Sequence, residues 1–470
     1  MKIVLYNAKG IGFRFNLIGI CFLLLLNSCA TTNLQINKDK ISQNNIVEDS
    51  SAVAYTFYLM GDAGNAPLNS TTIALKNLKK RIDAQDKNAT VLFLGDNIYP
   101  KGLPKKESKD RALAEHHLNV QIDVVQNIKG KTIFLPGNHD WYNDGVKGLK
   151  RQQEYVEDAL GKKSFLPKDG CPIEMIKYSD DVVLILVDSE WFITNWHNHP
   201  TVNDDCEIKT RTQFLDKFRS EIKKARGKTT IVAVHHPMFT NGSHGGKYSF
   251  KSYFQPFPVL GILKNVLRKT TGVSNADLQN VHYNDLKKNL VAASQFNDKV
   301  IFVSGHEHNL QYLIQDNLPQ IVSGSGSKTS PVKNVGSGIY AHATNGFAIL
   351  EIYKNGSSKV KFINAKKDSI EFQTTIYSAD KLNSFSTFKP IQKDSIKASI
   401  YSKEKTIKSK FYTFLWGERY RKYFSQVITA KTIDLDTLFG GLKPIRKGGG
   451  TQSKSLRLEA KDGRQYVIRA

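Results

Sequence analysis

The chain has 470 residues, 40% of them hydrophobic, and a formal net charge of +24 at pH 7. This length exceeds what one hydrophobic core usually holds, so we expect two domains or one large domain with an appendage. The basic charge is compatible with contacts to anionic surfaces, but no DNA-binding or RNA-binding motif is present, and no nucleic-acid partner is expected.

The N-terminus predicts export. A leader with three basic residues precedes the apolar run "FNLIGICFLLLL". This run is too short for a membrane-spanning helix, which needs about 20 apolar residues. The following "LNSC" resembles the end of a bacterial lipoprotein signal, so residues 1–29 are expected to be a signal peptide with Cys29 as the acylated residue. A plain signal peptide is the alternative. Residues 30–53 are polar and predict a flexible tether. The protein is therefore expected to be lipid-anchored to the bacterial cell envelope, on the periplasmic side or at the cell surface.

Two further cysteines, Cys171 and Cys206, remain in the exported part of the chain. An exported protein can form disulfides, so a bridge between them is permitted. Their spacing alone leaves the pairing open.

Short apolar runs recur along the next 250 residues. They are rich in β-branched and aromatic residues and predict strands buried on both faces: 54–60, 90–95, 131–137, 181–188, 229–236 and 299–305. Segments with helical spacing of apolar residues lie between several of them, which indicates an α/β layered core. From Gln320 onward, consecutive strands with Gly/Ser turns would complete a sheet. Residues 54–378 thus form the main predicted domain.

The remaining residues, 379–470, are interpreted as a basic extension with β character. Its end reads as a strand–Asp-Gly–strand hairpin. One hypothesis is that this hairpin begins a larger module.

Residues capable of binding metal stand where the predicted strands end. They are Asp62, Asp96, Tyr99, Asn138, His139, Asp140, His235, His236, His306 and His308. Ligand sites in layered α/β folds gather at the carboxyl ends of strands, so these turns should converge on one cleft. Buried carboxylates and imidazoles in such numbers require a positive partner. A metal site is the simplest way to supply it.

The motifs "GDAG", "GDNIY", "GNHD", "VAVH" and "GHEH" occur in this order between residues 61 and 308. Their order and spelling resemble the calcineurin-like metallophosphoesterases, and more narrowly the purple (tartrate-resistant) acid phosphatases. The chain resembles a bacterial lipoprotein member of that group. The resemblance covers about residues 55–376. It implies a layered β-sandwich flanked by helices, the αββα metallophosphoesterase fold.

The resemblance also implies two metal ions. Asp62, Asp96, Tyr99 and His308 would bind Fe(III), and Asp96 would bridge to a second ion, Zn, Mn or Fe(II), held with Asn138, His235 and His306. Carboxylate and phenolate oxygens suit Fe(III), and imidazoles with an amide oxygen suit the second ion. The implied activity is hydrolysis of a phosphate monoester by in-line attack of a metal-bound hydroxide on phosphorus.

Three residues are predicted to assist the reaction. His139 follows a ligand directly and would act as proton donor, with Asp140 orienting it. His244, in the Gly-rich stretch "TNGSHGGK", would face the substrate; a mobile turn is the alternative. His236 is expected to pack beside the site.

The loops at the rim of the cleft do not identify the substrate. Residues 189–206 and 248–283 are long loops that would either form a rim and a lid or only pack on the surface. A phosphodiesterase or nucleotidase with the same metal site is the alternative activity. A surface assembly protein with accessory phosphatase activity is the alternative from another class. The sequence does not indicate an oligomeric state.

Overall fold

The computed structural model describes residues 29–40, 51–272, 274–379, 396–400, 429–430, 455–460 and 465–469. The chain divides into two compact units, Met1–Leu382 and Asn383–Ala470. Most of the predicted signal peptide, residues 1–28, lies outside the described residues.

The first unit contains two sheets. The eight-stranded sheet has the spatial order β1 (Gln35–Ile36), β11 (Gly338–His342), β9 (Leu310–Gln315), β10 (Leu318–Ser323), β8 (Val300–Ser304), β7 (Thr229–Val234), β6 (Val182–Val187) and β5 (Ile173–Lys177). The six-stranded sheet has the order β14 (Ser369–Tyr377), β13 (Ser358–Asn364), β12 (Gly346–Tyr353), β2 (Val53–Met60), β3 (Ala89–Leu94) and β4 (Lys131–Leu135). Parallel strands form the middle of the eight-stranded sheet, β6–β7–β8–β10, and one side of the six-stranded sheet, β2–β3–β4.

Helices connect and cover these strands. The described α-helices are α1 (Ile73–Arg81), α2 (Arg111–Val125), α3 (Asn138–Trp141), α4 (Val146–Leu160), α5 (Ser189–Ile193), α6 (Arg211–Lys224), α7 (Pro258–Thr271) and α8 (Val281–Ser294). Short 3-10 helices occupy Lys38–Lys40, Lys168–Gly170, Trp196–Asn198 and Phe250–Phe254.

The alternation of side chains along each strand builds four layers. Phe57 and Leu59 of β2 point into the core between the two sheets, where they share a cluster with Leu184 and Leu186 of β6. Met60, which alternates with them, belongs to the cluster formed with the helices. Strands covered on both faces must be apolar at every position, which explains the continuous runs in the sequence. The predicted αββα sandwich is confirmed.

Helix α6 shows how an ordinary surface helix of this domain is built. Thr210 and Gln213 form a capping box at its N-terminus. The side chains of Phe214, Phe218 and Ile222 are buried on one face, and most polar residues face solvent; the buried Glu221 pairs with Lys217 and Lys224.

The chain after Cys29 does not behave as the predicted tether. The Ala30 amide donates to the Tyr248 carbonyl at 3.0 Å. Strand β1 then pairs antiparallel with β11, with Gln35 opposite Ala341. Edge strand β11 has unpaired backbone groups to offer, and this segment satisfies them. The prediction of a tether over 30–53 is therefore wrong for residues 30–40, and residues 41–50 lie outside the described residues.

A disulfide joins Cys171 and Cys206, which settles the pairing that their spacing left open. In the second unit, β15 (Ile396–Ile400), β16 (Thr429–Ala430), β17 (Ser455–Ala460) and β18 (Gln465–Arg469) form a sheet of order β16–β15–β17–β18. The antiparallel pairing of β17 with β18 agrees with the predicted final hairpin, whose turn lies outside the described residues.

Candidate metal centre

The ends of five parallel strands from both sheets meet at one place. The residues that follow β2, β3, β4, β7 and β8 bring together Asp62, Asp96, Asn138, His235 and His306, all of them buried. The sandwich therefore creates a cleft where two parallel arrays present their carboxyl ends to each other.

Three of these residues have a left-handed backbone. The φ angles are 57° at Asp62, 55° at Asp96 and 69° at His306. Asp and His are among the non-glycine residues that tolerate this region best, although it still costs energy. The surrounding structure holds this conformation at the strand ends, as is typical of functional sites.

The side chains form two groups that share Asp96. In the first, the Tyr99 hydroxyl donates towards Asp62 Oδ1 and Asp96 Oδ2, each 2.8 Å away, and lies 3.1 Å from His308 Nε2. His308 Nε2 is 3.4 Å from Asp62 Oδ1.

In the second group, Asp96 Oδ1 is 3.3 Å from His235 Nε2. Asn138 Oδ1 lies 3.1 Å from His235 Nε2 and 3.2 Å from His306 Nδ1. The two oxygens of Asp96 therefore face different groups, which is the arrangement expected of a bridging carboxylate.

Hydrogen bonds from behind orient the ligand atoms. His235 Nδ1 donates to the Leu94 carbonyl at 2.7 Å, and His306 Nε2 donates to the Ala276 carbonyl at 2.8 Å. These bonds hold a proton on the far nitrogen of each ring and turn His235 Nε2 and His306 Nδ1 towards the cleft.

The glycine of the GHEH motif has a steric role. A Cβ atom on Gly305 would lie 2.7 Å from Asp62 Oδ2, inside van der Waals contact. Because the strand ends approach this closely, a side chain at this position would displace the carboxylate.

The electrostatics of the site favour a cation. Burial and the carboxylates of Asp62 and Asp96 raise the pKa of Tyr99 well above its ordinary value. Burial lowers the pKa of His235, but Asp96 outweighs burial and raises it to about 10. Asp62, Asp96 and His235 each offer a ligand atom, all within 4.8 Å of one another. Hard oxygens, an amide oxygen and imidazoles in this arrangement fit a metal centre.

The sequence comparison agrees with this geometry. A profile of the calcineurin-like phosphoesterases matches residues 55–310, more than half of the chain. The chain belongs to the calcineurin-like phosphoesterase family.

Among characterised proteins, this phosphoesterase is similar to purple acid phosphatases. It is 22% identical to Purple acid phosphatase 3 of Arabidopsis thaliana over 284 residues, which cover 58% of this chain and 63% of the plant protein, less than two thirds of its length. Identity to Tartrate-resistant acid phosphatase type 5 of Homo sapiens is also 22%, over 299 residues that cover 61% of this chain and 77% of the human protein.

Two solved structures match this chain at low similarity. GAP50, the anchor in the inner membrane complex of Plasmodium, matches with a TM-score of 0.44 and 15% identity over 71% of this chain and 95% of that chain. The purple acid phosphatase PPD1 from yellow lupin matches with a TM-score of 0.43 and 12% identity over 69% of this chain and 54% of that one.

His139 borders the metal centre of the phosphoesterase domain. Its backbone N–H donates to Asp96 Oδ1 at 2.9 Å, and its ring Nε2 lies 3.9 Å from Asp96 Oδ2. Its Nδ1 donates to the Pro100 carbonyl at 2.7 Å, so Nε2 is the nitrogen turned towards the site.

Asp140 does not make the orienting contact that was predicted for it. Its carboxylate accepts hydrogen bonds from the Asn97 and Gly137 amides and from Gln152 Nε2 at 2.8–3.3 Å. It lies one residue after His139 on the first turn of α3, and helix geometry points the two side chains in different directions. Asp140 therefore ties together the loops that carry Asp96 and Asn138.

The structure places His244 in the site. Its ring centroid is 4.2 Å from that of His306, and its Nδ1 lies 3.0 Å from Asp277 Oδ1. Arg268 of α7 holds Asp277 through two hydrogen bonds, and the His244 amide donates to Glu307 at 2.9 Å. The Gly-rich turn is thus anchored on both sides.

Three supporting residues were not identified from the sequence. Asp277 and Glu307 position His244, and Lys328 places its Nζ 3.2 Å from the ring centroid of Tyr99. Glu307 lies inside the GHEH motif and could have been noticed there. Asp277 and Lys328 carry no local signal, because their proximity depends on loops far apart in the chain.

The two long loops differ in their relation to the site. Residues 248–283 reach the centre through the Ala276 carbonyl and Asp277. In residues 189–206, Trp191 is fully buried and Trp196 packs on it, with ring centroids 4.8 Å apart. His236 packs against the ring of His306 at 4.2 Å, beside the site as predicted.

Proposed function

We propose that this protein is a binuclear phosphomonoesterase. The observation that carries the proposal is that the two carboxylate oxygens of Asp96 face different groups of side chains: Oδ2 faces Tyr99 and Oδ1 faces His235. Fe(III) would be held by Asp62, Asp96, Tyr99 and His308. Zn, Mn or Fe(II) would be held by Asp96, Asn138, His235 and His306. Bound metal ions would supply Lewis acidity and lower the pKa of a coordinated water.

His139 would donate a proton to the leaving group. Since Nδ1 is engaged by the Pro100 carbonyl, a proton added to the ring resides on Nε2, which faces the cleft. Transfer of this proton to the departing alkoxide releases a neutral alcohol while the phosphoryl group takes up the oxygen of water. The ring is held between Tyr99 and Tyr142 at centroid distances of 4.3 and 4.9 Å. This contact limits its rotation.

Two further groups would bind the phosphoryl oxygens. Lys328 brings a positive charge beside Tyr99, in the first group of side chains. His244 packs against His306, in the second group. Both are ordered by contacts to the protein, so little conformational entropy would be lost on binding substrate.

We further propose that the protein is an exported lipoprotein acylated on Cys29. The leader and the LNSC motif support this, and the Cys171–Cys206 disulfide is of the kind that persists in oxidising compartments. Among the residues that the structure describes, no helix combines the length and apolar character needed to cross a bilayer.

The decisive experiment assays phosphate release from an aryl monoester beside the matching diester, with iron, zinc and manganese quantified in the same sample. Monoester turnover with about two metal ions per chain is expected. Asp96→Asn should lose both metal and turnover, whereas Asp123→Asn, at an exposed position of α2, should retain both.

Other outcomes select the alternatives. Turnover of the diester alone would indicate a phosphodiesterase or nucleotidase. A folded protein that binds no metal and hydrolyses neither substrate would overturn the proposed centre and favour the role in surface assembly.

A further inference from the structure

Helix α7 has its apolar and polar faces reversed relative to an ordinary surface helix. The side chains of Leu260, Leu263 and Leu267 are 50%, 51% and 45% exposed. The buried face instead carries Gly261 and Asn265. Helix α6 of the same domain shows the usual arrangement, with its phenylalanines inside.

Polar contacts hold α7 in this orientation. Asn265 Nδ2 donates to Ser252 Oγ at 2.9 Å, and Arg268 donates to both oxygens of Asp277 at 2.8 and 2.6 Å. Gly261 lies against the backbone of Tyr253, where a Cβ would overlap the carbonyl. Rotating the leucines inward would break these bonds and bury Lys264. The outward apolar face is therefore built into the domain.

The apolar surface continues beyond α7. Phe257, just before it, is 66% exposed, and the rings of Phe250 and Phe254 pack together at 4.6 Å on the preceding 3-10 helix. We define the α7 patch as Phe250, Phe254, Phe257, Leu260, Ile262, Leu263, Val266 and Leu267. A contiguous apolar surface of this kind marks a binding site for a protein or a membrane.

The charge around the α7 patch distinguishes between these partners. Residues 247–271 contain five basic side chains and no acidic one. Phenylalanines and leucines on one face with lysines beside them are typical of helices that lie in the interface of an anionic bilayer. At 14 residues, α7 is too short to span a bilayer, which needs about 20.

The place where the described N-terminal segment meets the domain agrees with this. The Ala30 amide bonds to the carbonyl of Tyr248, and Ala30 bridges to Ser249, the residue before Phe250. Cys29 therefore lies at the border of the α7 patch.

We propose that the α7 patch is a membrane-binding surface that inserts its apolar side chains into the headgroup region of an anionic lipid bilayer. The inference requires neither phosphatase activity nor acylation of Cys29, because it rests on the reversed helix and its charge. It adds a second attachment point that would hold the catalytic domain flat against the membrane.

The test measures binding to vesicles of phosphatidylethanolamine and phosphatidylglycerol by co-sedimentation. The protein is the mature chain from residue 29, carrying Cys29→Ser so that no acyl chain contributes. The patch variant is Phe257→Gln/Leu263→Gln/Leu267→Gln. The matched control is Ile73→Gln/Ile314→Gln/Ile370→Gln, three comparably exposed apolar residues elsewhere on the domain.

We expect the unsubstituted chain and the control to bind the vesicles. The patch variant should bind at least about tenfold more weakly. Retained activity or an unchanged circular dichroism spectrum shows that the variants are folded. Equal binding by all three proteins would overturn the proposal. So would a chain that ignores vesicles but forms a dimer that the patch substitutions dissociate, since a second copy would then cover the surface.

Discussion

The phenol oxygen of Tyr99 lies 2.8 Å from a carboxylate oxygen of Asp96, three residues earlier in the chain. The hydroxyl proton of Tyr99 forms the hydrogen bond between these two oxygens, and a metal ion bound to both oxygens would replace that proton. The other Asp96 oxygen is 3.3 Å from His235. This one carboxylate therefore connects the two halves of the site.

If Tyr99 holds the proposed Fe(III), Tyr99→Phe should remove the purple colour and weaken iron retention. A phenolate on Fe(III) gives the charge-transfer absorption, and the ring of phenylalanine cannot. Loss of an outer-shell partner typically costs 10–100-fold in metal affinity, so loss of a ligand should cost about as much or more. Visible absorption and elemental analysis measure both effects.

Tyr155→Phe is the control, since its hydroxyl bonds to Asn119 on the protein surface. A Tyr99→Phe protein that keeps its colour would show that another residue ligates iron.

His139→Asn should slow hydrolysis in proportion to the difficulty of the leaving group. A proton donor is needed by an alkoxide and hardly by a nitrophenolate. We expect a loss of about 10²–10⁴ in kcat with alkyl monoesters and a much smaller loss with nitrophenyl phosphate. His116→Asn, at a half-buried position of α2 whose ring bonds to the Pro67 and Ser70 carbonyls and not to the metal centre, should leave both rates unchanged. Equal losses with both substrates would argue against proton donation.

Glu371 should stabilise the domain above pH 4.5 and lose that effect in acid. Burial would raise its pKa, but hydrogen bonds from His342, Asn364 and Tyr340 outweigh burial and lower the pKa to about 2. A carboxyl whose folded pKa lies below its unfolded value of about 4.3 stabilises the fold when ionised. Stability then falls as the pH drops from about 4.5 to 2. Because solvent partly screens the group, we expect about 1–2 kcal/mol.

Thermal unfolding of Glu371→Gln beside the unsubstituted protein measures this contribution. The difference in Tm should be largest at pH 6–7 and shrink towards pH 2–3. Glu351→Gln removes a carboxylate that pairs with Lys361 between neighbouring strands and serves as the control. A Tm difference for Glu371→Gln that does not change with pH would contradict the assignment.

The disulfide should contribute to stability through the loop that it closes. Cys171 and Cys206 are 35 residues apart, and a loop of this length predicts about 3–4 kcal/mol in the chain-entropy account. Cys171→Ala/Cys206→Ala should therefore lower the Tm by several degrees without abolishing activity, because neither cysteine contacts the metal centre. An unchanged Tm would show that the loop is restrained by packing alone.

Much of the site could be predicted from single motifs. Asp62, Asp96, Asn138, His235 and His306 each follow an apolar run, and parallel strands that end side by side bring such residues together. Asp140 was assigned the wrong contact because adjacent residues on a helical turn point apart. The tether prediction failed at residues 30–40 because a polar composition cannot reveal an unpaired sheet edge that accepts a short strand.

The sequence by itself determined the layered fold and which residues stand at the strand ends facing the cleft, because hydrophobic periodicity and local turn chemistry are properties of neighbouring residues. Tertiary structure alone decided that the oxygens of Asp96 face two groups, that Asp277 positions His244 and that α7 turns its leucines outward. Each of these depends on contacts between segments distant in the chain. The helical pattern of α7 is equally compatible with a buried apolar face, and the bonds of Asn265 and Arg268 together with the close packing of Gly261 determine which side meets the domain.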